Sequence, residues 1–160
     1  EMKPDLVSLV VGPEQQKMGY YTADDLKPLY ASGVRRVLNK NRPDRSQPYQ
    51  IMELMQFNYF MAQGVLTFDA KSGRLAVHED KFHAAAVSML RDVFEIQAAG
   101  DAAKAEAYIT KWTEWKPELH QRLAEAMRST ETSRFPCVTF ELLDPADRAP
   151  RGVGRPALLQ

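Results

Sequence analysis

The chain has 160 residues, 44% of them apolar and 26% charged, and its 21 basic and 21 acidic side chains cancel to a formal net charge of zero. That length fits one domain with a core of its own, and the charge balance excludes a global field drawing the protein to nucleic acid or to an anionic membrane. A single cysteine, Cys137, excludes an internal disulfide framework and a thiolate zinc cluster.

No apolar stretch reaches the length of a membrane span, and no signal-peptide pattern opens the chain. Neither nucleic acid nor membrane is therefore an expected partner, and a cytoplasmic location is the expectation. The chain opens on Glu1 rather than on methionine. Two expectations follow: a segment of a longer protein, or a product that starts at Met2 with Glu1 as a cloning remnant.

The apolar run from Leu6 to Val11 is ended by Gly12-Pro13 and is compatible with a buried strand or with a helix end. Thr22-Ala-Asp-Asp25 has capping-box spacing ahead of a helix running to about Leu38. Pro28 inside that stretch argues for a late start, near Leu26, or for a kink. A basic run, Arg35, Arg36, Lys40, Arg42 and Arg45, reads as a solvated helix end rather than a phosphate site. Residues 39–48 form a polar loop.

Pro48 to Gln63 predicts a helix stopped by Gly64 as a left-handed cap. Ile51, Met52, Leu54, Met55, Phe57, Tyr59, Phe60 and Met61 leave most of its circumference apolar, which places it in the middle of the core. Its methionines read as core packing rather than as a promiscuous groove. Val65 to Phe68 and Arg74 to Val77 are β-prone runs around Asp-Ala-Lys-Ser-Gly, the pattern of a small hairpin.

A long helix follows from about Asp80 to Ala99, stopped by Gly100, with Asp101 placed to cap the next. Tyr108, Ile109 and Trp112 share a face of that next helix. Pro117 suits the first turn of another, which carries Leu119, Leu123 and Met127. Phe135 to Leu143 reads as extended, and from Asp144 onward Pro, Gly and Arg with few apolar anchors suggest a loose tail. The expected architecture is mainly α: a single helical domain over 1–143 with one small β-hairpin, then a tail over 144–160.

One constellation has metal-ligand letters, His78-Glu79-Asp-Lys-Phe-His83. In a zinc peptidase two such histidines project from one helical face, with the glutamate as base. Here His78 ends a strand and Asp80 is the expected N-cap, so the two histidines do not share a continuous helix and the motif reads as a decoy. His120 is isolated and reads as a surface or half-buried histidine. Trp112 and Trp115 read as packing anchors rather than a ligand platform. No nucleophile triad or phosphate-cradling glycine loop has workable spacing.

A family resemblance enters through several segments in order. They are Gln56-Phe-Asn-Tyr-Phe-Met-Ala-Gln-Gly64, the hairpin over 65–77, and the helix ending Val93-Phe-Glu-Ile-Gln-Ala-Ala-Gly-Asp101. Lys104-Ala-Glu-Ala-Tyr108 and Lys116-Pro-Glu-Leu-His120 continue it. Over roughly residues 50–125, in letters and in element order, the chain resembles the stretch downstream of the zinc site in the dipeptidyl peptidase III family of zinc peptidases. Glu1-Met-Lys-Pro-Asp5 is similar to the tail of that family's second zinc motif, Glu-Glu-x-Lys/Arg-Ala-Asp/Glu.

The resemblance implies that Glu1 is a carboxylate zinc ligand, if it belongs to a longer chain, with Lys3 and Asp5 at the motif's basic and acidic positions. Pro4 departs from the family's alanine, and the preceding glutamate is not in the sequence. The family often has a histidine at the start of the core helix, thought to steady the reacting carbonyl oxygen, and an ungapped count back from Gly64 reaches Tyr49. Its hydroxyl can donate one hydrogen bond to a developing oxyanion; the other reading is an anchor for the helix start. The family's own H-E-x-x-x-H lies upstream of the second zinc motif and outside this chain.

Two functional expectations result. In the first the chain is a fragment or remnant of a dipeptidyl peptidase III-like zinc exopeptidase, supplying helical scaffold and inactive alone. Zinc is then the cofactor of the parent family, none is expected on this chain by itself, and the partners are the remainder of a longer polypeptide or short peptides. In the second it is a stand-alone, non-catalytic helical module that binds a peptide or protein.

Overall fold

A computed structural model describes residues 2–129. Glu1, Cys137, the stretch from Phe135 to Leu143, the tail after Asp144 and the expected boundary at 143–144 lie outside the described residues.

Helix α1, Met2–Lys17, contains the whole of the first apolar run. Leu6, Leu9 and Gly12 are buried at a spacing of three while Val7 and Ser8 between them are exposed, so the helical period settles the ambiguity. Gly12-Pro13 does not end the run: Pro13 lies inside the helix. Gly12 serves packing instead, since a Cβ there would come within 2.8 Å of Leu29 Cδ2 and 3.2 Å of Leu26 Cδ2.

Helix α2 spans Ala23–Arg36. The Asp25 carboxylate reaches back to the Thr22 backbone N–H at 2.7 Å and its hydroxyl at 2.6 Å. Those bonds fix the first turn ahead of Pro28, so the late start near Leu26 is corrected to Ala23. A proline at the sixth helical position removes a single intrahelical bond, which the capping box and the burial of Tyr30 and Val34 offset.

Helix α3, Pro48–Ala62, contributes seven buried residues, Met52, Leu54, Met55, Gln56, Phe57, Tyr59 and Phe60, more than any other described element. Gly64 at φ +68° ends it. Val65 N–H donates to Phe60 C=O at 2.9 Å and Gly64 N–H to Met61 C=O at 3.1 Å, which satisfies two end carbonyls. The chain then turns into β1, Leu66–Asp69, paired antiparallel with β2, Arg74–Val77, in the register Leu66 to Val77 and Asp69 to Arg74.

Helix α4, Glu79–Ala99, starts one residue earlier than the sequence suggests, with His78 rather than Asp80 at the N-cap, and ends at Gly100. It packs against α1, α2 and α3, and against α5, Ala102–Trp112. Asp101 caps α5 by accepting from Lys104 N–H at 2.9 Å. Phe82 of α4 is fully buried, stacked on Tyr30 at 4.6 Å and tilted against Phe60 at 5.0 Å. This aromatic contact joins α2, α3 and α4 at the centre. Pro117–Gln121 forms a π-helical turn that runs into α6, Arg122–Ser129. Among the described residues the fold is six α-helices and one hairpin, and no helix is long and apolar enough to cross a membrane.

Candidate functional site

The metal-like letters separate in space. His78 sits where β2 hands over to α4, and its Nε2 lies 3.2 Å from the Thr67 hydroxyl on β1. His83 is inside α4, and its Nε2 lies 3.1 Å from the Val10 carbonyl of α1. A carbonyl only accepts, so Nε2 of His83 carries the hydrogen and is committed as a donor. One ring thus goes to the hairpin and the other to α1. Among the described residues no three His, Cys, Asp or Glu side chains gather where they can hold a metal ion, and His78, Glu79 and His83 do not fit a zinc centre.

Tyr49 lies beside Pro48 in the first turn of α3 and is 57% exposed. Glu1 lies outside the described residues. The other two positions of the N-terminal motif are engaged by neighbouring helices. Asp5, on α1, forms an ion pair with Arg36 of α2 and lies 3.5 Å from the Gln56 amide of α3. Lys3 donates to Gln97 of α4 and stands 5.8 Å from the Phe94 ring.

The basic run disperses in the same way. Arg36 pairs with Asp5, and Arg45 pairs with Glu106 of α5.

The polar centre of the fold is one that sequence reasoning missed. His120 is 4% exposed, not a surface residue. Its Nε2 is 2.9 Å from Asn58 Oδ1, and its Nδ1 is 2.8 Å from the Lys116 backbone nitrogen. Trp115 stacks on the ring at 4.9 Å, and Phe57 meets it edge-on at 5.3 Å. Burial holds the imidazole below its ordinary pKa; the Lys116 carbonyl, 3.1 Å from Nδ1, works the other way. Beside it lies a cavity of about 10 Å³, at the lower limit of what accepts one water. The available signal was Asn58, an amide set among Phe57, Tyr59, Phe60 and Met61 on that helix.

A second polar cluster joins α3, α4 and α5. Tyr59 donates to Ser88 at 2.9 Å, and Tyr108 donates to Asp92 at 3.2 Å. Burial raises both phenols, and the neighbouring Asp92 charge raises them further. Trp112 packs on Tyr59 at 4.9 Å, and its buried indole N–H has no acceptor among the described residues.

No protein-family model, no curated protein and no solved structure matches this chain.

Proposed function

We propose that this chain is the helical scaffold portion of a dipeptidyl peptidase III-like zinc exopeptidase and is inactive by itself. The observation that supports this reading most is the order in which the resembling segments pack. Gln56–Gly64 is the end of buried α3, residues 65–77 are the hairpin that follows it, and α4 returns against α3. The N-terminal segment that resembles a zinc motif is helical from Met2, and Asp5 and Lys3 tie it to α2, α3 and α4.

In this reading the metal and its histidines belong to the remainder of a longer polypeptide. The substrate is a short peptide, the location is cytoplasmic, and neither nucleic acid nor membrane takes part. The described residues supply the scaffold in this reading, with Tyr49 as the candidate donor to the developing oxyanion. The test is the mass and activity of the native gene product beside those of the purified 160-residue chain, both assayed on a dipeptidyl naphthylamide with and without chelator. A far longer native product with chelator-sensitive dipeptide release, and no turnover by the chain alone, is the expected result. Zinc-dependent turnover by the chain alone, abolished by Glu79→Gln, overturns it.

A second reading, a peptide- or protein-binding helical module, has its own observation. Met18 and Tyr20 are 70% and 72% exposed in the turn between α1 and α2, next to partly exposed Tyr21. A native product starting at Met2 favours this reading over the first.

A further inference from the structure

His120 closes a hydrogen-bond circuit that the peptidase reading does not use, and its neighbours fix every proton in it. The Asn58 amide nitrogen faces two carbonyls, Trp112 C=O and Glu114 C=O, each at 2.9 Å. Only the NH2 end of an amide can do that, so Oδ1 is the end turned to His120. Oδ1 only accepts, so Nε2 of the ring carries the hydrogen. A neutral ring with its hydrogen on Nε2 has a lone pair on Nδ1, and that lone pair receives the Lys116 backbone N–H at 2.8 Å. The circuit thus holds the connection 112–116 and the π-helical turn on α3.

We propose that His120 is an acid-sensitive latch: a proton taken up at Nδ1 breaks its bond to Lys116 and frees the segment 116–129 from α3. With Nδ1 protonated, two donors face each other where donor and acceptor stood before. The other nearby acceptor is the Lys116 carbonyl, 3.1 Å from Nδ1, but it already receives the His120 backbone N–H at 2.8 Å and the Leu119 N–H at 3.1 Å. Accepting the ring as well would compete with the bonds that define the turn.

The surroundings decide whether the cation is tolerated. α3 presents Leu54, Phe57 and the neutral Asn58, the 37–39 segment presents Val37, Leu38 and Asn39, and α6 presents Leu123; none carries charge. The charged groups that bear on the ring are Lys116, which opposes protonation, and Glu114 and Glu118, which favour it. All three are exposed, so water screens them. The Trp115 face attracts a cation. Burial nonetheless outweighs these and keeps the ring neutral below the ordinary imidazole range.

Other ties of this segment to the described fold are surface bonds from Arg122 to the Ala70 carbonyl and from Arg128 to the Lys40 carbonyl and Asn41, beside an apolar face of Leu119, Leu123 and buried Ala124. Local opening of one segment takes place at free energies below global unfolding. The latch therefore releases 116–129 while α1 to α4 stay packed.

Histidine-selective nitrogen NMR at about pH 7.5 is expected to show His120 with Nε2 protonated and Nδ1 bare. Amide exchange over 116–129, corrected for its intrinsic pH dependence and referenced to α4, is expected to speed up as pH falls from about 7.5 to about 5. The expected gain approaches about tenfold per pH unit between the ordinary imidazole pKa of about 6.5, which the opened segment regains, and the lowered native one, and it levels off below that. His120→Gln is expected to make the ratio independent of pH, whereas His78→Gln leaves the wild-type response. A protonated Nδ1 at neutral pH, a flat exchange ratio in the wild type, or a response surviving in His120→Gln overturns the proposal. If His120→Gln fails to fold, the tautomer and the wild-type exchange ratio still decide it.

Discussion

Phe57 and Phe60 stand three positions apart on α3 and are both buried, at 2% and 0% exposure, yet they face different neighbours. Phe60 meets Phe82 at the centre, while Phe57 presents its edge to His120. Truncating either to alanine removes a whole ring from a close-packed site, and the cost of such cavities is about 3–5 kcal/mol. Urea titrations of Phe57→Ala and Phe60→Ala measure it; losses under about 0.5 kcal/mol at both would remove α3 from the centre of the core. That both rings are core was legible, because an apolar circumference has only one place to go. His120 was not legible, because the burial of a histidine on a mixed face depends on which element folds over it. Here Asn58, 62 positions away in sequence, supplies the partner.

Gly64 ends α3 through its own backbone, and a local signal of that kind is readable without tertiary knowledge. Its φ of +68° lies in the left-handed region, while a Cβ there would meet nothing nearer than Lys81 Nζ at 3.5 Å. The cost of Gly64→Ala is therefore conformational, about 1–2 kcal/mol, with Gly64→Asn costing less. Thermal or urea unfolding of the two variants checks the order; equal stabilities would mean the turn relaxes to another conformation. The Gly100 stop, the Asp101 cap and the hairpin around Asp69 to Gly73 were legible for the same reason. The misread elements are those where tertiary packing decided. Gly12-Pro13 looks like a terminator, but Gly12 is the point where Leu26 and Leu29 approach α1. The N-cap moved from Asp80 to His78, whose backbone N–H bonds the Val65 carbonyl at 2.7 Å across the hairpin. The separation of His78 from His83 follows from the strand-to-helix junction between them, which the sequence pattern already placed.

At the scale of the molecule, tyrosines occupy the seams between helices: Tyr30 between α2 and α4, Tyr59 between α3 and α4, and Tyr108 between α4 and α5. Burial raises all three phenols above their ordinary pKa, and Asp92 adds to the effect at Tyr59 and Tyr108. The folded chain therefore keeps these protons to higher pH than the unfolded chain does. Above about pH 10 the unfolded state binds fewer protons, so stability is fully present below that value and is lost as pH rises. One fully linked phenol contributes a slope of at most about 1.4 kcal/mol per pH unit. Tyr108, partly open to water, contributes less than that because solvent screens it. Lysines titrate in the same range, so the wild-type profile alone does not isolate the phenols; a difference between variants does, since the lysines are common to both. Urea unfolding of the wild type and of Tyr108→Phe from about pH 8 to about pH 11 is expected to give profiles that converge as the wild type loses the contribution of this hydroxyl. Parallel profiles would show that the Tyr108 proton is held no more tightly in the folded chain than in the unfolded one, and would place its hydroxyl in water rather than between α4 and α5.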